Sequence, residues 1–395
     1  MELVSPVRSQ TELATAHEAG ITEVLLGHQM LSTLGTLGTD ELHSLANSAL
    51  KLGLRPILLW DTLMRDAEFD RAVNCIKKID LKLFSAVRVM DPGALEYILE
   101  ETLLPVQLIL RTGNHNIESI LGWINYNKAR TEKVILSSEL PKKRIEEYVK
   151  VIPVKTEVLG LVPILLFYTP RYLLTYQSTS GDGERGEDSF NLLTAMASCE
   201  ENTHKGFRVV ETKHGTLVFH AKDYCLLEQI NELKSMGVTS FQMDFRLEKS
   251  ESFILEQIKK VAVLCKSFDP VFYQEWASSY PNKITRCFYQ ANATDVLFKK
   301  LKNTTTQRVD HSFVGEVIES VRDRHIIVHV TGNARELTKG NELKIITPMG
   351  KQVLFTVGSI RDLDGNQKEE IASGDFAVLP YIRSVTPTSV IYLQH

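Results

Sequence analysis

A series of polar side chains in this chain each stand just behind a short apolar run: His28, Asp61, Asp91, Arg111, Asn114, His115, Glu139, Asp244 and Arg246. In a fold that gathers strand ends on one rim, they would form a ring of both charge signs. Arg111 and Arg246 could hold a small anionic ligand, with Asp61 and Asn114 beside it, while His115, Glu139 or Asp244 moves a proton. A plainer reading stands next to each. Asp61 and Asp91 have the type and place of helix N-caps. Asp244 and Arg246, two apart on one strand face, make either a ligand-binding pair or an internal ion pair. The chain has no HExxH and no GxSxG, and Ser137-Ser138-Glu139 is not a known nucleophile context, so nothing local supports proteolysis. His325 and His329 share a strand face, yet no cysteine or carboxylate stands at ligand spacing, which favours a surface pair over a metal site. His214-Gly215 reads as a hairpin turn. Lys142-Lys143-Arg144 and Lys299-Lys300-Leu301-Lys302 are basic clusters that read as solvated helix faces or, with Tyr280, Phe288 and Tyr289 stacking bases, as an RNA surface. Packing is the favoured role for those aromatics.

The elements that must place these groups alternate. Strands are expected at Glu2–Ser5, Glu23–Gly27, Arg55–Trp60, Leu83–Val89, Val106–Leu110, Lys133–Leu136, Thr156–Leu161 and Ser240–Asp244. Helices are expected at Thr11–Ala19, Asp40–Leu52 (capped by Thr39 or Asp40), Asp66–Ile79, Pro92–Glu101, Glu118–Asn127, Lys142–Val151, Tyr224–Met236 and Ser252–Phe268. Such alternation with short connections implies parallel strands and crossover helices. The repeats fit an α/β fold of the closed (β/α) TIM-like barrel type better than a doubly wound sheet. Residues 177–187 read as an exposed loop, and Arg208–Val210 with Thr216–Phe219 as a hairpin. From Ser312 onward short strands and Gly, Asn and Asp turns predict a small C-terminal all-β barrel. The expected domains are 1–270, a connector at 271–310, and 311–395.

Composition sets outer limits. The chain has 395 residues, is 43% hydrophobic and carries a formal charge of −4, so no global charge argues for nucleic acid or an anionic membrane. No signal peptide or membrane span is expected; the greasy stretch Val158–Tyr168 reads as a buried strand. Five scattered cysteines without CxxC fit reduced thiols in a cytoplasmic protein, with no disulfides.

Several segments together resemble peptidase family U32. Glu2-Leu3-Val4-Ser5-Pro6, Asp61-Thr62-Leu63, Leu136-Ser137-Ser138-Glu139-Leu140, His214-Gly215-Thr216, Ala221-Lys222-Asp223-Tyr224-Cys225 and Met243-Asp244-Phe245-Arg246 stand in the family's order and spacing. So do Phe313-Val314-Gly315 and Thr347-Pro348-Met349-Gly350. The resemblance implies a ligand role for Lys222 and Asp223. It also implies kinship with members that bind an iron–sulfur cluster through cysteines and support hydroxylation of RNA bases or of a quinone precursor; the family name itself implies a collagenase-like peptidase. In the signature segment Glu157 matches, but Leu165 and Tyr172 occupy the two cysteine positions. Clusters need thiolate ligands, usually four. The expectation is therefore a divergent member without the cluster, acting as a binding or partner subunit, with a hydrolase and a purely structural interaction protein as alternatives.

Overall fold

The computed structural model describes residues 1–110, 114–127, 130–174, 193–198, 205–290, 312–331, 336–348 and 350–394. They fall into two compact units, Met1–Asn292 and Ala293–His395.

The first unit opens β1 (Glu2–Pro6), α1 (Gln10–Ala19), β2 (Glu23–Gly27), α2 (Thr39–Lys51), β3 (Arg55–Trp60) and α3 (Asp66–Ile76). It continues β4 (Ala86–Val89), α4 (Pro92–Glu101), β5 (Val106–Ile109), α5 (Ile117–Tyr126), β6 (Thr131–Ile135), α6 (Lys142–Val151) and β7 (Lys155–Thr169). After an excursion, α7 (Ile230–Met236) leads to β11 (Ser240–Met243), then α8 (Glu251–Lys266), α9 (Pro270–Ser279) and β12 (Lys283–Thr285). Strands β1 to β7 pair in sequence order, all parallel, and β11 pairs in parallel with both β7 and β1, closing an eight-stranded barrel. This is the TIM-like architecture the alternation predicts.

The excursion holds β8 (Leu193–Ser198), β9 (Lys205–Thr212) and β10 (Gly215–Cys225). β10 runs antiparallel to the outer half of β7, and β9 and β8 follow it in order. β7 is thus far longer than the expected Thr156–Leu161, because Pro163 sits where the pairing of β10 slips and no ladder hydrogen bond is demanded of it. The expected helix from Tyr224 starts only at Ile230. Tyr224 and Cys225 instead end β10, paired with Val162 and Leu161. Residues 271–290, expected as connector, pack into this unit: Trp276, Tyr280 and Tyr289 are buried in its core.

Burial follows strand period. Leu3, Val24, Leu26, Leu58, Trp60, Val87, Leu108, Val134, Val158 and Phe241 face outward to the helices and make the main core. The inward set is more varied. Val4, Leu25, Ile57 and Ala86 form one apolar layer, and Leu59, Ile109 and Ile135 another. The barrel also encloses charge: Glu23, Arg88, Lys133 and Glu157 are all fully or almost fully buried. The Arg88 guanidinium donates to both Glu157 oxygens at 2.7 and 2.9 Å, to Gln107 Oε1 at 2.7 and 2.9 Å, and to Gln242 Oε1 at 2.9 Å. Lys133 Nζ donates to Glu23 at 2.6 Å and Glu157 at 3.3 Å, and lies 3.3 Å from Glu2. Each buried charge is therefore answered by opposite charge and hydrogen bonds, the condition under which such burial is tolerated.

The second unit is antiparallel. It comprises β13 (Phe313–Val321), β14 (His325–Val330), β15 (Glu336–Thr338), β16 (Glu342–Ile346), β17 (Gln352–Thr356), β18 (Ile360–Arg361), β19 (Gln367–Lys368), β20 (Glu370–Ala372), β21 (Phe376–Pro380) and β22 (Val390–Leu393). The larger sheet has the order β17-β16-β22-β13-β14-β21-β18-β19, and β15 pairs with β20. It has its own core, with Val314, Val328, Leu343, Ile345 and Ile391 fully buried.

Candidate functional site

The C-terminal ends of the barrel strands, where barrels of this kind keep their working groups, open into a cavity of about 350 Å³. The loop after β6 contributes Ser137, Ser138 and Glu139. The turn after β11 contributes Asp244 and Arg246, and the β7–β10 ribbon contributes an apolar wall of Ile164, Leu165, Leu217 and Phe219. Three of the expected site residues, Glu139, Asp244 and Arg246, thus meet at one cavity.

Asp244 and Arg246 grip each other. Arg246 Nε donates to both Asp244 oxygens at 3.0 and 3.1 Å, and Nη2 to Oδ2 at 2.6 Å. Burial alone would lower the guanidinium's affinity for its proton, but the Asp244 carboxylate outweighs this and raises it. Arg246 Nη1 is buried and finds no hydrogen-bond partner among the described residues. His115 reaches the same rim: its Nε2 lies 3.1 Å from Ser137 Oγ and 3.4 Å from Glu139 Oε2. The Tyr148 hydroxyl donates to the His115 carbonyl at 2.6 Å, and Ser137 Oγ accepts the Glu139 N–H at 3.2 Å. Proton transfer between His115, Glu139 and a bound molecule is within reach of this geometry.

The other expected residues that are described do not line the cavity, although Asp61 stands directly behind it, bonded to the lining residue Thr33 and close enough for its charge to act on Arg246. Buried Asp61 accepts from Thr33 N–H at 2.8 Å and Thr33 Oγ1 at 3.3 Å, so it ties down the β2–α2 loop. It does not cap α3, whose N-cap is Arg65. Asp91 does cap α4, through Ala94 N–H at 3.0 Å. The cap of α2 is Gly38, whose N–H donates to Glu41 at 2.9 Å, and not Thr39 or Asp40. Asn114 bonds Ser119 and Trp123 and does not line the mouth cavity. Asp223 is buried in a separate cluster, paired with Arg208 and accepting from Tyr280 at 3.0 Å and Asn282 at 2.9 Å; Lys222 pairs in register with Lys283 of β12. Neither lines the cavity. Arg111, Cys199, the 177–187 loop and Lys299–Lys302 lie outside the described residues.

Of the remaining contributors, Cys287 gave no advance signal, and Phe288 reads from sequence only as a packing or base-stacking aromatic. Cys287 and Phe288 line the cavity from the stretch read as connector, and Cys287 holds a φ of 44° there. His214 sits at the β9–β10 turn, as expected. Its Nε2 lies 2.9 Å from the Gln29 carbonyl, and Tyr168 and Tyr172 bond the carbonyls of His214 and Lys213, each at 2.7 Å. The ribbon tip is thereby pinned to the β2–α2 loop. Burial lowers the proton affinity of His214 and, with Lys213 and His43 nearby, brings that of His28 down to about 4. In the second unit, His325 lies 3.2 Å from Glu319, and His329 stacks on Phe376 at 4.7 Å.

Among the described residues, the donors at the two signature positions do not fit an iron–sulfur cluster. Leu165, which has no donor atom, stands opposite Phe219 in the apolar wall. The Tyr172 hydroxyl is engaged with the Lys213 carbonyl. Cys225 is buried in the main core, and burial pushes its thiol up to about 12. No group of three or more His, Cys, Asp or Glu among the described residues is arranged to hold a metal ion. No helix among them is long and apolar enough to cross a membrane, and Cys75, Cys225, Cys265 and Cys287 are free thiols.

A search of the curated proteins returned no match. Among solved structures, the U32 peptidase Mk0906 is similar over 41% of this chain and 70% of its own, at 14% identity and a TM-score of 0.34. Phosphoribosyl anthranilate isomerase from Thermus thermophilus is similar over 68% of this chain and 100% of its own, at 10% identity and a TM-score of 0.39. The model of peptidase family U32 matches residues 8–297, well over half of the sequence. On that match, the chain belongs to peptidase family U32.

Proposed function

We propose that this chain is a ligand-binding U32 protein, related to the members that support hydroxylation of RNA bases or a quinone precursor, that works without an iron–sulfur cluster as a binding or partner subunit. One observation carries the reading. The mouth cavity keeps Glu139 and the Asp244–Arg246 pair, while Leu165 fills the first signature cysteine position with apolar wall. The ligand is small and apolar along most of its length, and its anionic end answers Arg246 Nη1, a buried donor costly to leave unpaired. RNA is not the favoured ligand, because in the Lys142-Lys143-Arg144 cluster Lys142 pairs with Glu232 and Arg144 with Glu147.

Anaerobic purification with iron and acid-labile sulfide analysis tests the first half; neither element is expected, and stoichiometric amounts of both would sink the reading. A thermal-shift screen with small aliphatic and cyclic carboxylates tests the second. Stabilisation by at least one acid is expected in the wild type and not in Arg246→Met.

A hydrolase is the second reading, favoured by the 3.1 Å approach of Ser137 Oγ to His115 Nε2. Glu139, however, approaches that same nitrogen and so cannot orient the ring from Nδ1 as a triad acid does. Peptide cleavage abolished by Ser137→Ala would make the hydrolase the better account.

A further inference from the structure

A second cavity, of about 220 Å³, shares no lining residue with the first and lies beside the C-terminal ends of β4 and β5 and the starts of α4 and α5. Val89, Leu95, Leu108 and Leu110 give it apolar walls, and Pro92 and Trp123 line both it and a shallower groove running on past Ser119, Gly122 and Tyr126. Two polar groups stand in it, Asn114 and Asp91.

Their orientation follows from donor chemistry. Asn114 Oδ1 receives Trp123 Nε1–H at 3.1 Å and Ser119 Oγ–H at 3.0 Å. An indole N–H can only donate, so the atom facing it is the amide oxygen and the Nδ2 amino group turns the other way. Nδ2 has no partner among the described residues. Asp91 uses Oδ1 for the α4 cap and receives one long bond, 3.4 Å from Met64 N–H, on Oδ2. A carboxylate has about four acceptor positions, so Asp91 retains acceptor capacity.

Gly122 points the same way. It is an exposed residue inside α5, and a Cβ built on it meets nothing within 4 Å. Packing does not require glycine there, and an internal helix glycine costs about 0.5–1 kcal/mol relative to alanine. Its effect is to leave the groove beside Trp123 open.

We propose that this cavity and groove bind an aromatic primary amide. The ring lies against Trp123 between the apolar walls; the amide oxygen accepts from Asn114 Nδ2, and an amide N–H donates to Asp91. The site shares no lining residue with the mouth cavity and does not rest on the function proposed for that cavity.

Benzamide is the probe, with benzoate as its isosteric anion, and tryptophan fluorescence of the full chain is the readout. Trp60 and Trp276 are buried, so Trp123 is the indole such a ligand can meet. Saturable quenching by benzamide is expected, absent in Trp123→Phe, and benzoate should bind at least about tenfold more weakly because Asp91 repels it. Asn114→Asp keeps the oxygen that bonds Ser119 and Trp123 and replaces only the donor; it should weaken benzamide by about tenfold or more. Gly122→Leu should fill the groove and weaken binding while leaving the circular dichroism spectrum unchanged; if it unfolds the chain, Asn114→Asp decides. The proposal is overturned by an absence of saturable quenching, by benzoate binding as tightly as benzamide, by Asn114→Asp binding like wild type, or by equal loss in Asp244→Asn, which would put the ligand in the mouth.

Discussion

Arg88 joins four strands from a single side chain, bonding Gln107 of β5, Glu157 of β7 and Gln242 of β11 from its own place on β4. Removing it leaves the Glu157 carboxylate buried with Lys133 as its one remaining cation. Arg88→Met is therefore expected to destabilise the first unit by about 3–5 kcal/mol, read as a lowered urea midpoint. A double variant, Arg88→Met with Glu157→Gln, should recover part of the loss, because no uncompensated charge is then buried. An unchanged midpoint in Arg88→Met would show that the network is not coupled to stability. This layer was invisible in the sequence. Glu23, Arg88 and Lys133 sit within apolar runs, and a charged residue in a strand signals an exposed face unless its partners on other strands are known. Glu139, Asp244 and Arg246 were legible for the opposite reason: each follows a strand, and barrel topology alone brings them to one rim. Asp223 has the same residue type and similar local context, but a partner distant in sequence, Arg208, takes it out of the site, while Asp61 stands behind the cavity wall, bonded to the lining residue Thr33.

The ribbon of β7 and β10 is the element that turns a barrel rim into an enclosed cavity. The β9–β10 turn at its tip depends on Gly215, which has a φ of 122°; an added Cβ would meet the Thr169 carbonyl oxygen at 2.1 Å. Gly215→Ala is expected to loosen the ribbon tip, speed amide exchange in β9 and β10, and weaken any ligand of the mouth, while β1 to β6 keep their protection. Hydrogen exchange by mass spectrometry checks this; uniform loss of protection across the barrel would instead mean that the turn is needed for the whole fold. The barrel strands were readable because each apolar run is bounded by turn residues and followed by a helical period. The ribbon was readable only in part. His214-Gly215 marked the turn, but Tyr224, Cys225, Leu227 and Ile230 also fit a helical apolar stripe, and local pattern cannot choose between the two.

The two units keep separate cores: residues of Met1–Asn292 fill one main cluster, and residues of the C-terminal sheet fill another. A fragment ending at Asn292 retains the closed barrel, α9, β12 and the Cys287–Phe288 wall. It is expected to fold cooperatively and to bind mouth ligands as the full chain does, whereas truncation at residue 270 should yield an unstable product, because Trp276, Tyr280 and Tyr289 leave the core. Calorimetry of the two fragments checks this, and a stable 1–270 fragment would refute it. Local pattern does not tie residues 271–290 to the barrel because their periodicity is weak; Trp276 is held by Gln257 of α8, Tyr280 by Asp223 of β10 and Tyr289 by Glu232 of α7 rather than by a stripe of their own.

β7 has a consequence for how the mouth can open. It pairs with β6 from Lys155 to Glu157 and with β11 from Glu157 to Leu161, with Glu157 fastened by Arg88 and Lys133, and the same unbroken strand then projects to Thr169. A beam fixed so firmly at its root does not pivot there. Any yielding of the ribbon is expected instead at the weaker joint, opposite Ile164, where the pairing with β10 loses register between Phe219 and Asp223 and fewer ladder bonds hold the two strands together.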